Sequence, residues 1–194
     1  MVMQMDPLLL EIPEQFETER LIVRKYRKGD GTGSFELFER NNNREILRPN
    51  VDEAESVNTI DDGEARIRQM MADWEARKRC VMGVWLREPE LQIGQIWIEA
   101  NRWDVPSFEL GWFLDAGYWG QGLAYEAAKR AIEFIFEDLN AHKIVVSTRD
   151  YNEKSFRLAE RLGFKKEGHS REGRVDKGKR FGLLYYGMLK EEYR

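Results

Sequence analysis

The sequence predicts an α+β fold, a run of antiparallel strands followed by a long helix. Three observations carry this. Cys80–Leu86 and Ile93–Ile98 are two apolar runs separated by the hydrophilic, Pro89-containing stretch 87–92, the pattern of an antiparallel hairpin. Phe108–Leu114 is a third aromatic and aliphatic run, read as a largely buried strand. Beyond a glycine-rich break, Ala124, Ala128, Ile132, Ile135, Phe136 and Leu139 recur at helical spacing, with Lys129, Arg130, Glu133 and Glu137 on the other face.

Length and composition set the frame. The 194 residues suit a single domain with a sizeable core. The formal charge of −4 is mild and the two signs are interspersed, so no basic patch points to nucleic acid. A lone cysteine, Cys80, allows no intramolecular disulfide and fits a cytoplasmic protein. No apolar run is long enough to span a membrane, and the N-terminus has no basic region or cleavage site of a signal peptide.

In chain order, residues 1–16 read as a tail with an apolar patch at Leu8–Leu10, and 17–190 as one domain. Thr18–Tyr26 predicts a strand, with Leu21 and Val23 on its inner face, and residues 32–43 a helix around Phe35, Leu37 and Phe38. Residues 44–62 are acidic and read as irregular, either a substrate-side loop or a solvated connector. Asp61 or Asp62 is expected to cap a helix running to about Arg77, with Ile67, Met70, Met71 and Trp74 inward. After the long helix, Lys143–Thr148 is β-branched and predicts a strand. Asn152 is a natural N-cap and Gly163 a natural C′ residue, which delimits a short helix between them. The remainder reads as a closing hairpin of 165–168 and 181–189, joined by a basic connection with Arg171, Arg174, Lys177, Lys179 and Arg180.

The chemistry concentrates at the break after Leu114. Gly117, Gly120 and Gly122 fall together just before a helix. Glycines let backbone N–H groups converge on one small space, and a helix start adds free amides and a positive dipole end. Such a turn suits a phosphate or pyrophosphate. The Gly-Lys-Ser/Thr ending of a P-loop is missing, and so is the third glycine of the dinucleotide fingerprint.

What remains, Trp119-Gly-Gln-Gly-Leu-Ala124, resembles the acetyl-CoA motif of the GNAT N-acetyltransferase superfamily, written Arg/Gln-x-x-Gly-x-Gly/Ala. Gly122 and Ala124 match it. Trp119 stands where Arg or Gln is usual, a departure found in the ribosomal-protein (RimJ/RimL-like) branch. Two distant stretches extend the resemblance. Glu17-Thr-Glu-Arg-Leu21 is similar to the opening of many chains of that branch, and Asn152-x-x-Ser155 followed by Leu162-Gly-Phe164 is similar to the second family signature.

The resemblance implies a three-layer fold, with a mixed, mostly antiparallel central sheet flanked by helices. It implies transfer of an acetyl group from acetyl-CoA to a primary amine, either a protein α-amino group or a small molecule, by direct attack in a ternary complex. The implied cofactor contacts are Phe113, Leu114, Trp119, Gly120, Gln121, Gly122, Leu123, Ala124, Asn152 and Ser155, with no metal. Phe113 and Leu114 would pair with the pantetheine arm. Glu109, a carboxylate in an apolar strand, is the expected base, since apolar neighbours would raise its pKa toward a useful range. A salt bridge would be the plain structural role for it, and Glu99 is the reserve base. A tyrosine common in the family is replaced by Ala159, so Ser155 is the expected partner of the departing thiolate, with Tyr151 and Tyr125 as alternatives and His142 and His169 as poor candidates. A non-catalytic CoA-binding module and a CoA-free phosphate-binding domain are the competing readings, and the protein would be a monomer or homodimer.

Overall fold

The computed structural model describes residues 9–193, so Leu8 and the rest of 1–8 lie outside the described residues. One sheet of eight strands organises them: β1 (Gln15–Glu17), β2 (Leu21–Lys25), β3 (Arg79–Leu86), β4 (Leu91–Arg102), β5 (Ser107–Leu114), β6 (Lys143–Arg149), β7 (Lys165–Asp176) and β8 (Lys179–Leu189), in the spatial order β1-β2-β3-β4-β5-β6-β8-β7. All neighbours are antiparallel except β5 and β6. Among the described residues six α-helices flank the sheet: α1 (Gly31–Glu39), α2 (Asn43–Leu47), α3 (Glu53–Ser56), α4 (Ile60–Glu75), α5 (Leu123–Glu137) and α6 (Glu153–Arg161).

Strand alternation sorts side chains between the two faces. On one face Phe108, Leu110 and Leu114 of β5 pack with Ala127, Ala131, Ile135 and Phe136 of α5 and Ala159 of α6. On the other, Phe113 joins Leu37, Phe38, Leu47 and Val51 from the α1–α3 region. Ile67 and Met70 of α4 meet Tyr26, Val81 and Trp85 beside it. α1 and α4 cross where Gly31 and Gly63 touch backbone to backbone, with no room for a Cβ at either.

Several expectations are corrected. The end of the presumed tail is strand β1, which pairs Gln15–Glu17 with Ile22–Arg24 and buries Phe16; at three residues it is too short for a period to show. Residues 44–62 hold α3 and most of α2 and bury Leu47, Val51, Ala54 and Val57, spaced among mostly polar and charged residues. The helix 32–43 ends at Glu39, because Asn41 and Asn42 both take left-handed φ (53° and 56°) and turn the chain sharply into α2. The cap of α4 is Thr59, whose hydroxyl accepts the Asp62 N–H, rather than either aspartate. The basic connection 169–180 is mostly strand: β7 and β8 are joined by Lys177-Gly178 alone, both at positive φ, as a tight hairpin demands. His169 therefore lies in β7, not in a loop.

Candidate active site

β5 and β6 diverge. Their parallel pairing covers only Ser107–Glu109 against Lys143–Val145, although β5 continues to Leu114 and β6 to Arg149. The diverging halves form a V. Among the described residues, the β5 edge that faces β6 has no strand partner beyond Glu109. A cleft of about 690 Å³ fills the V, bordered by Gly111–Leu114 on one arm and Val146–Arg149 on the other.

One mouth of the cleft is the glycine turn. Gly120 and Gly122 sit at φ +77° and +79°, which a side chain would oppose. Gly122 is the N-cap residue of α5, so the first α5 amides, starting with Leu123 and Ala124, have no intrahelical acceptor. Trp119 is fixed by its Nε1, which donates to the Leu114 carbonyl at 2.8 Å, while Lys154 lies 3.6 Å over its ring. Asn152 caps α6, its Oδ1 accepting the Ser155 N–H at 3.4 Å, and Gly163 follows at φ +98° as the expected C′ residue. Phe113, Leu114, Trp119, Gly120, Gly122, Leu123, Ala124, Asn152 and Ser155 all line the one cleft. Gln121 does not; its exposed side chain turns back to the Gly117 carbonyl.

The sequence reading missed the basic residues here. Lys154, Arg157 and Arg161 recur at i, i+3 and i+7 on α6, which places them on one face, and all three border the cleft. Arg161 stacks on Tyr125, 4.5 Å from the ring centre. That spacing was legible and could have been read as a place for phosphate charge. Among the described residues lining the cleft, the charged ones are Arg149, Lys154, Arg157 and Arg161, all basic.

At the other mouth, Ile46, Leu47, Asn50 and Val51 form a roof from α2 and the segment after it. Arg149 fastens that roof to β6, donating to the Pro49 carbonyl and lying 2.8 Å from the Tyr151 hydroxyl and 3.3 Å from Asp176. The Tyr151 hydroxyl itself reaches the Pro49 carbonyl at 3.2 Å. Tyr125 belongs to the glycine-turn mouth, so neither alternative tyrosine lies at the junction of the strands.

Glu109 sits where the strands part, on the face of the sheet shared with Phe113, and is not itself among the residues lining the cleft; it reaches the cleft through Ser147, which is. It does not have the apolar enclosure expected for it. The carboxylate is half-buried and accepts a hydrogen bond from the Ser147 hydroxyl at 2.5 Å. Its flanks are apolar in sequence, but alternation turns them to the opposite face. Glu99 lies directly across from it on β4, 3.5 Å from the Arg79 guanidinium. The two histidines stay away from the cleft: His142 is exposed, and His169 pairs with Asp150 at 3.1 Å. No group of three metal-ligating side chains occurs among the described residues, and no helix there is long and apolar enough to cross a membrane.

Comparison with known proteins gives this geometry a context. A family model described as an acetyltransferase (GNAT) domain matches residues 20–165. The uncharacterized N-acetyltransferase YnaD of Bacillus subtilis (strain 168) is 27% identical over 177 residues, covering 91% of this chain and 97% of its own. A ribosomal-protein-S5-alanine acetyltransferase structure from Vibrio fischeri superposes with a TM-score of 0.81 at 23% identity, over 93% of this chain and 98% of that one. RimL, a ribosomal L7/L12 alpha-N-protein acetyltransferase solved with coenzyme A, gives 0.80 at 16% identity, over 92% and 97%.

Proposed function

The chain belongs to the acetyltransferase (GNAT) family, and on that premise we propose how its own residues move an acetyl group from acetyl-CoA to a primary amine. The observation that carries the proposal is the cleft through the V, with a glycine turn and a helix start at one mouth and an apolar roof at the other.

The pyrophosphate sits on the amides of Gly120 to Ala124, where the dipole of α5 adds to the attraction. Lys154, Arg157 and Arg161 supply the balancing positive charge. The pantetheine arm lies along the open edge of β5 as a substitute strand, paired with the backbone of Phe113 and Leu114. This points the thioester toward the place where the strands part. An amide of the same edge faces the carbonyl oxygen and steadies the charge that develops there.

The amine enters from the roofed side and attacks the thioester directly in a ternary complex. Glu109, at the meeting point of the strands, takes the proton, directly or through one water. Its hydrogen bond from Ser147 holds the carboxylate in one orientation. The Ser155 hydroxyl, on the cofactor side, assists the leaving thiolate.

The acceptor is an amine borne beside an uncharged group, either a polypeptide N-terminus or a small monoamine. Ile46, Leu47, Val51, Trp97 and Leu183 offer apolar surface around it, and the charged residues on the cleft wall are basic. Apart from the single carboxylate of Glu109, a polycation would find repulsion there. The ribosomal-protein names of the two solved neighbours support the polypeptide N-terminus. A single buried cysteine with no second cysteine to pair supports a cytoplasmic location. Acetyl-CoA turnover against N-terminal peptides, monoamines and polyamines tests the reading; polyamines as the best acceptors would overturn it.

A further inference from the structure

The Asp115 carboxylate ties together the segment that leads into the roof and the segment that leads into the glycine turn. It is fully buried, at the end of β5. Its Oδ2 accepts from Arg40 Nε at 2.5 Å and its Oδ1 from Asn41 Nδ2 at 2.9 Å, both from the corner between α1 and α2. Oδ1 also accepts the Gly117 N–H at 2.9 Å, within the turn that leads to Gly120 and Gly122. The same two segments meet twice more. Asn43 Oδ1 accepts the Ala116 N–H at 2.8 Å, and a Cβ on Gly117 would overlap the Asn41 amide. Arg40 continues the chain of bonds to the Gln92 carbonyl. Three residues beyond Asn43 the roof begins at Ile46, and three beyond Gly117 the glycine turn begins at Gly120.

We infer that Asp115 is a positioning residue that makes the glycine turn and the acceptor roof one mechanical unit, so that cofactor binding orders the roof. A buried carboxylate separated from its guanidinium would be left uncompensated, so the corner and the turn hold together rather than part. Ordering the turn around a pyrophosphate therefore restrains residues 40–43, and with them Ile46 to Val51. This inference rests on the glycine turn being the cofactor site.

The test uses two variants of the full chain. Asn41→Gly removes the amide from the joint while tolerating the left-handed φ, and Asn41 is not among the residues lining the cleft. Asp115→Asn removes the ion pair and nearly preserves shape. CoA affinity is measured by calorimetry, and exchange of the 43–51 amides is followed with and without CoA. In the wild type, CoA should slow exchange across 43–51. In both variants that slowing should disappear, CoA affinity should fall by about tenfold, within the usual range of coupling between sites, and the acceptor KM should rise more than kcat falls. If Asp115→Asn does not fold, Asn41→Gly alone decides. A wild type that binds CoA without any change at 43–51, or an Asn41→Gly protein with wild-type affinity and exchange response, overturns the joint. A merely structural role would lower stability and leave the exchange response intact, which also overturns it. A wild type that binds no CoA overturns the cofactor reading itself.

Discussion

Arg20 and Glu126 are joined across 106 positions of sequence: the Arg20 Nε donates to Glu126 Oε2 at 2.7 Å and the Arg20 backbone N–H to Oε1 at 3.0 Å. Thr18 adds its hydroxyl to the same carboxylate. Arg20 also donates Nη1 to the Gln121 carbonyl at 3.0 Å, between the two glycines of the turn. Burial alone would push the Glu126 carboxyl up, but the hydrogen bonds from Thr18 and Arg20 outweigh it and hold it below the usual range. The conspicuous Thr-Glu-Arg stretch near the N-terminus thus braces the turn and the first turn of α5.

Arg20→Ala should therefore weaken CoA binding several-fold while costing less than about 1 kcal/mol of stability, because the guanidinium is half exposed. Calorimetry with CoA and urea unfolding separate the two effects. Equal affinity in the variant would show that the brace is irrelevant to the turn.

Gly122→Val places a β-branched side chain at φ +79°, where the pyrophosphate is proposed to approach the backbone. CoA binding should be abolished and the fold largely kept, as read by calorimetry and circular dichroism. Retained binding would move the site.

Asn152→Ala should cost on the order of 1 kcal/mol through loss of the α6 cap. The loss in kcat/KM should be larger, since Asn152 also lines the cleft. Matching small losses in stability and activity would leave Asn152 with its capping role only.

Glu109→Gln retains shape but removes proton acceptance. kcat should fall by about 10²–10⁴-fold with the KM for acetyl-CoA little changed, and the acidic limb of the pH–rate profile should shift or vanish. Ser155→Ala should cost less, mainly in kcat. Near wild-type turnover in Glu109→Gln would transfer the assignment to Glu99.

Asp115 gives a pH prediction for stability. Its burial favours the neutral acid, but the bonds from Arg40, Asn41 and the neighbouring groups together hold its folded pKa below the ordinary value. A depressed carboxyl contributes stability that is fully present above the unfolded pKa of about 3.9 and is lost as pH falls through the folded value. Wild type should therefore exceed Asp115→Asn in urea midpoint at pH 7, and the gap should narrow as pH drops below about 4. A constant gap would remove the ionic contribution.

The sequence by itself determined the order and kind of the main elements and the glycine turn before α5. Those signals are local: the period of α5, the β-branched run in β6, the glycines that alone accept φ near +80°, and Asn152 and Gly163 as helix stops. Tertiary structure decided what depends on residues far apart in the chain. The two short helices at 43–56 form because Leu47, Val51 and Ala54 find Phe113 and Phe38 to pack on, which no window of their own sequence reveals. The V exists because β5 and β6 part beyond Glu109 and Val145, a matter of register between strands more than thirty residues apart. The environment of Glu109 followed the same logic. Its apolar sequence neighbours suggested burial, but the pleat sends them to the α5 face and leaves the carboxylate with Ser147 and open space. Asp115 sits in the break after Leu114 with no local signal of its role; only the fold brings Arg40 and Asn41 to it, because a buried charge is stable only where distant chain supplies its partners.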